Sequence, residues 1–126
     1  MKKIIIVLGM ILLVGSINVD AQTSAKSDVE AYYFHATHRC ATCQAVESVT
    51  IEALKEYYGE KVSFQSINRE KESDNPMIEK YKISGQTLLI IKGDKVVNLT
   101  NDAFMNARSN PDKFKAKIKS TVDSMI

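Results

Sequence analysis

The 126-residue chain is 44% hydrophobic and 25% charged, with a formal net charge of +2, which suits one small domain around a single core but not two. Near-balanced charge argues against a nucleic-acid partner, because phosphate binding depends on several clustered basic groups. The lysines at 113, 115, 117 and 119 interleave with Phe114, Ile118 and Val122 at helical spacing and read as the wet face of a helix.

Lys2 and Lys3, an apolar run from Ile4 to Gly15 and the sequence Val19-Asp20-Ala21 have the order of a secretory signal peptide. The apolar run falls short of the roughly 18 to 20 residues that span a bilayer, so no stable membrane anchor is expected. No cysteine lies near the break, which excludes a lipid-anchored lipoprotein. Residues 1–21 are therefore expected to be cleaved after Ala21, leaving a periplasmic or otherwise exported protein whose net charge drops from +2 to +1 with the loss of Lys2, Lys3 and Asp20. Residues 22–28 are polar and aperiodic and are expected to form a flexible arm. Residues 29–126 form the domain.

Residues 29–36 are aromatic and nearly continuous in apolar character, the pattern of a central strand covered on both faces. Next comes His38-Arg39-Cys40-Ala41-Thr42-Cys43. From Cys43 to Tyr58, Val46, Val49, Ile51, Leu54, Tyr57 and Tyr58 recur at helical spacing, with Glu47, Glu52, Lys55 and Glu56 expected on the outer side and Gly59 as the stop. Residues 61–68 alternate as a second strand, with Val62, Phe64 and Ser66 expected to face one way. A charged connection, 69–74, leads to Asn75-Pro76, an N-cap and first-turn proline opening a short helix through Tyr81. After a turn over residues 83–86, Thr87 to Lys92 reads as an apolar strand, and Gly93-Asp94 as a tight turn into an antiparallel strand, 95–99. A short helix is expected near 102–108. A second cap, Asn110-Pro111, starts a helix reaching almost to Ile126.

Strand, C-x-x-C, helix is a redox arrangement. The first N–H groups of a helix lack intrahelical partners and the helix end carries partial positive charge, so a thiolate placed there is stabilised. Cys40 is the natural nucleophile, because lowering a thiol pKa from about 8.5 raises its thiolate fraction near neutral pH. Arg39 beside it is expected to push the same way, and Cys43, three residues on, lies within bonding reach. A bridge closing so short a loop stabilises little, and in an oxidising compartment it points to a dithiol that cycles.

His38 is a candidate for proton exchange with the thiols, against a plain reading as a solvated loop residue. His35, among Tyr33, Phe34 and Ala36, reads as a hydrogen-bonded core residue. An alternative use of the same residues is metal binding, with His35, His38, Cys40 and Cys43 as nitrogen and sulfur ligands for zinc or copper. Placement of His35 on a strand suits that poorly. Covalent haem is disfavoured because Gln44, not histidine, follows Cys43.

The element order over residues 29–126 resembles the thioredoxin-like fold, an α/β class with a three-layer α/β/α sandwich and a central mixed sheet of about four strands. More narrowly, the aromatic strand leading into His-Arg-Cys-Ala-Thr-Cys resembles the small exported bacterial ArsF family, nitrophenyl compound nitroreductase subunits. The resemblance implies Cys40 as attacking and Cys43 as resolving thiol, with Gln86 and Thr87 in the substrate groove. Gln86 stands where thioredoxin-like proteins usually carry a cis-proline, and a cis bond there would cost about 2.5 to 4 kcal/mol, so trans geometry is expected. Phe34 and His35 stand where thioredoxin buries an acidic residue, and Arg39 replaces a common tryptophan. The function expected is an exported thiol–disulfide oxidoreductase or dithiol electron carrier. It would need no bound cofactor beyond the redox-active disulfide Cys40–Cys43, but would need a membrane or periplasmic redox partner and a disulfide-containing protein or small-molecule substrate.

Overall fold

The computed structural model describes residues 27–126. The expected signal peptide, and residues 22–26 of the expected arm, lie outside the described residues. Ser27, near the end of that expected arm, has a backbone hydrogen bond to the domain. The Ser27 N–H donates to the Lys61 carbonyl at 2.8 Å, and Val29 beyond it is fully buried.

Four strands, β1 (Glu30–His35), β2 (Ser63–Asn68), β3 (Thr87–Lys92) and β4 (Lys95–Asn98), form one mixed sheet in the order β2-β1-β3-β4. β1 runs parallel to β2 and antiparallel to β3, so it is central, as its continuous apolar character predicts. Register sets Tyr33 beside Ser66 on one side and Leu88 on the other. Among the described residues four helices accompany the sheet: α1 (Ala41–Tyr58), α2 (Pro76–Lys80), α3 (Thr100–Asn106) and α4 (Pro111–Asp123).

Side chains alternate across the sheet and build two cores. Ala31, Tyr33, Leu88 and Ile90 meet Val46, Ala53 and Leu54 of α1, Ala103 of α3 and Phe114, Ile118 and Val122 of α4. On the opposite face Phe34, Ile67, Leu89 and Ile91 are covered by Met77 and Ile78 of α2 with Tyr81 and Ile83. The result is an α/β/α sandwich with unequal outer layers. Full burial of side chains such as Tyr33, Phe34, Leu88 and Phe114 stabilises by about 1.5–3 kcal/mol each.

Local chemistry explains the helix limits. Asn75 accepts from the Met77 N–H and Asn110 from the Lys113 N–H, each just before a proline. Gly59, with φ +62°, closes α1, and Gly93, with φ +57°, makes the hairpin turn. Ile51 and Tyr57, expected on the apolar face of α1, are exposed, and two helix starts differ from expectation. Helix α1 begins at Ala41 rather than Cys43, because Cys40 is its N-cap and the small residues between the cysteines carry no periodic signal. Helix α3 covers Thr100–Asn106 rather than 102–108; Thr100 is anchored at its start by Asn98 Oδ1, which accepts from the Thr100 N–H and hydroxyl.

Candidate active site

The end of β1 delivers the chain into a short loop, residues 36–40, that turns into α1. Glu70 Oε2 accepts from the Thr37 N–H at 3.4 Å, and the Asn68 amide donates to Thr37 Oγ1 at 3.1 Å, tying this loop to the end of β2. Cys40 is extended (φ −74°, ψ 166°) and its sulfur accepts from the Cys43 N–H at 3.2 Å, as an N-cap side chain does. Cys40 and Cys43 form a disulfide with a Cα–Cα distance of 5.1 Å, inside the range that bridges without backbone movement. The two sulfurs differ in access: Cys40 is exposed, whereas Cys43 is 2% exposed beneath the first turn. No acidic residue lies in that first turn, so no residue of the turn itself opposes the positive end of α1.

Arg39 does not extend to the disulfide as a free cation. Its guanidinium turns under α1 to form an ion pair with Glu47, contacts Ser66 Oγ of β2 at 3.2 Å and faces both ring nitrogens of His35. A guanidinium can only donate. With Nδ1 of His35 set 2.8 Å from the Ala36 carbonyl, the consistent arrangement has Nδ1–H donating there and Nε2 accepting from Arg39. Glu47, expected on the outer side of the helix, is 17% exposed at its side chain. It faces inward rather than outward because it lies one turn beyond Cys43 on the same helical face, and Arg39 compensates its charge.

Tyr33 forms the floor. Fully buried, its hydroxyl donates to the Cys43 carbonyl at 3.1 Å and lies 3.4 Å from Gln86 Oε1. Burial pushes its pKa up to about 12, with the Arg39 charge pulling the other way. Gln86 and Thr87 are half-buried, their backbone is trans, and Thr87 pairs with Phe34, which brings the start of β3 alongside the end of β1.

His38 is exposed, and among the described residues no hydrogen bond joins it to either sulfur. Next to it, hydrogen bonds from Thr37 hold the Glu70 carboxyl below its usual range, and the charge of Arg69 adds to them. His35 is 5% exposed with its ring occupied by Ala36 and Arg39. Among the described residues no three His, Cys, Asp or Glu side chains converge as a metal site, so His35, His38, Cys40 and Cys43 are not assembled as one ligand set. The residues that sequence reasoning missed here are Glu47 and Tyr33. Glu47 could have been found from its spacing of four from Cys43.

No protein-family model matches the chain, and no curated protein matches it. Solved structures do. The germline-specific thioredoxin Deadhead of Drosophila melanogaster superposes with a TM-score of 0.52 at 20% identity, over 82% of this chain and 86% of that one. The zinc-bound form of human ERp44 superposes with a TM-score of 0.51 at 20% identity, over 74% of this chain and 28% of that longer one. Together with the sheet order and the C-x-x-C pair at the entrance to α1, these likenesses show that the chain has the thioredoxin-like fold.

Proposed function

We propose that the protein is a thiol–disulfide oxidoreductase that exchanges electrons through Cys40 and Cys43. The observation that carries this reading is the unequal pair of sulfurs at the start of α1, one exposed and one shielded. In the reducing direction the Cys40 thiolate attacks one sulfur of a substrate disulfide. A Cys40–substrate disulfide forms, and the displaced substrate thiolate takes up a proton. Cys43, deprotonated, then attacks the Cys40 sulfur, closing the bridge and releasing the second substrate thiolate. Two electrons pass from the dithiol to the substrate. In the oxidising direction a substrate dithiol attacks the bridge and the same steps run backwards.

The role of Cys40 as attacking thiol rests on exposure and on the helix end. Cys43 resolves from below. Gln86 and Thr87 offer the half-buried rim on which a substrate chain would lie. His38, exposed on the same loop, is available for proton exchange with solvent and substrate. The donor or acceptor is a membrane or periplasmic redox partner, and the composition of residues 1–21 supports export. The resemblance of the aromatic strand and His-Arg-Cys-Ala-Thr-Cys to the ArsF family supports a relay role: this chain would pass electrons to a cofactor-bearing subunit, since nitro reduction calls on an electron-storing cofactor.

The test is a trap with a model disulfide. Reduced Cys43→Ser protein incubated with oxidised glutathione should retain a covalent glutathione adduct by mass, whereas wild type should release it and Cys40→Ser should form little. An equal adduct on Cys40→Ser, or none on Cys43→Ser, would overturn the assignment.

A further inference from the structure

Glu47 and Arg39 form an ion pair under the first two turns of α1, and neither residue is spent on holding a helix end or crossing to another layer's surface charge. Arg39 is the residue before the exposed cysteine. Glu47 is one turn beyond the shielded one. The charged and titratable groups around the pair are few. Tyr33 and His35 face it from β1, Ser66 contacts it from β2, and among the described residues no hydrogen bond brings a charged group of α2, α3 or α4 to it. Farther out on the surface, the Glu70 carboxylate accepts from the Thr37 N–H, and His38 is exposed.

An arginine next to a nucleophilic cysteine stabilises the thiolate when its charge is unopposed. Here it is opposed at contact distance by a carboxylate only 17% exposed, so the field that Arg39 would otherwise project onto Cys40 is largely cancelled. We propose that Glu47 sets the reactivity of the dithiol by neutralising Arg39, so that Cys40 relies on the helix end rather than on its neighbouring arginine for activation. The inference rests on the thiol–disulfide reading, and it assigns Glu47 as a positioning residue: it touches no substrate and acts through Arg39. The sign is distinctive. Removing an acidic residue at this position activates the outer thiol, while removing the arginine leaves the Glu47 charge uncompensated and suppresses it.

The experiment is the pH dependence of alkylation of Cys40 by iodoacetamide in the reduced full chain. Cys43 is shielded, so the fast phase reports Cys40. Glu47→Gln should move the apparent thiol pKa down and speed alkylation at pH 6 on the order of threefold, the response to one charge at a distance of several ångströms. Arg39→Gln should slow it by a similar factor. The double variant should fall close to wild type, and Glu47→Asp, which keeps the charge, should behave as wild type. Unchanged or slower alkylation in Glu47→Gln would overturn the proposal. So would a shift in the same direction in both single variants, the signature of a loosened loop. Should a Gln variant unfold by circular dichroism, Arg39→Lys and Glu47→Asp supply the comparison: both retain the wild-type pKa if charge is what matters, and departure of either by more than the wild-type uncertainty counts against it. Alkylation needs no disulfide substrate, so failure of the glutathione trap and failure of this proposal are separate outcomes.

Discussion

The Tyr33 hydroxyl donates to the Cys43 carbonyl at 3.1 Å across the interface between β1 and α1. That bond sets the height of the shielded cysteine above the sheet. Tyr33→Phe keeps the ring and its packing but deletes the donor. Because the Cys43 carbonyl sits inside α1 and retains its helical partner, the loss is that of one buried hydrogen bond, about 1 kcal/mol. Urea denaturation of the oxidised protein should show this as a lower midpoint with an unchanged slope. An unchanged midpoint would mean that the hydroxyl contributes nothing to seating the helix.

Tyr33 also makes stability fall on the alkaline side. Its folded pKa of about 12 lies above the ordinary value of 10.0, so the unfolded chain ionises first. Its contribution is fully present below pH 10 and is lost as pH rises through about 12. Tyr32 is raised to about 12 and Tyr58 is raised as well, each first by burial, so wild type alone would blend their effects. The stability difference between wild type and Tyr33→Phe isolates the residue: it should be flat from pH 7 to 9 and shrink or reverse above pH 10. A flat difference through pH 11 would show that the hydroxyl is solvated.

The two asparagine caps should differ in what they hold. Asn110 starts α4, which carries Phe114, Ile118 and Val122 into the larger core, whereas Asn75 starts the five-residue α2 over the smaller one. Asn110→Ala should cost about 1 kcal/mol of global stability. Asn75→Ala should cost less globally and instead raise hydrogen exchange locally in residues 75–83, because that segment can open without the main core. Equal global losses would show that the two layers unfold as one.

Most of the fold was legible because it rests on local signals of high contrast. The strand Thr87–Lys92 was readable to the residue, as were both Asn-Pro starts, since an apolar run between turn residues and a proline after a cap each have one good solution. The disposition of charges at the site was not legible. Arg39 beside Cys40 in sequence suggested a cation beside a thiolate, but a long side chain reaches across several elements, and it settled on Glu47, His35 and Ser66. Likewise Glu47 read as solvent-facing from periodicity, because a helical pattern reports which face is apolar and is silent about a buried countercharge. Tyr33 reads as core from the apolar run around it, but its hydroxyl's partners depend on the parallel and antiparallel neighbours of β1, which only the assembled sheet supplies.

Reduction should reveal whether the bridge serves stability or chemistry. Cys40 and Cys43 are three residues apart, and constraining so short a loop removes little unfolded-state entropy, about 2 kcal/mol in the loop-closure account. Reduction also lets the N-cap sulfur carry charge at the start of α1, where the helix end favours it and no acidic residue of the first turn opposes it. The two effects oppose each other, so the reduced form should be at most about 2 kcal/mol less stable than the oxidised form. Paired denaturation curves with and without a reductant, at pH 7 and pH 5, measure this directly. The gap should widen at pH 5, where the thiolate is protonated and its stabilisation is lost. Through linkage the same gap gives the potential relative to an unfolded dithiol, at 30 mV for about 1.4 kcal/mol. A loss well beyond 2 kcal/mol, independent of pH, would mark the bridge as a structural staple, and the exchange chemistry assigned to Cys40 would have to be given up.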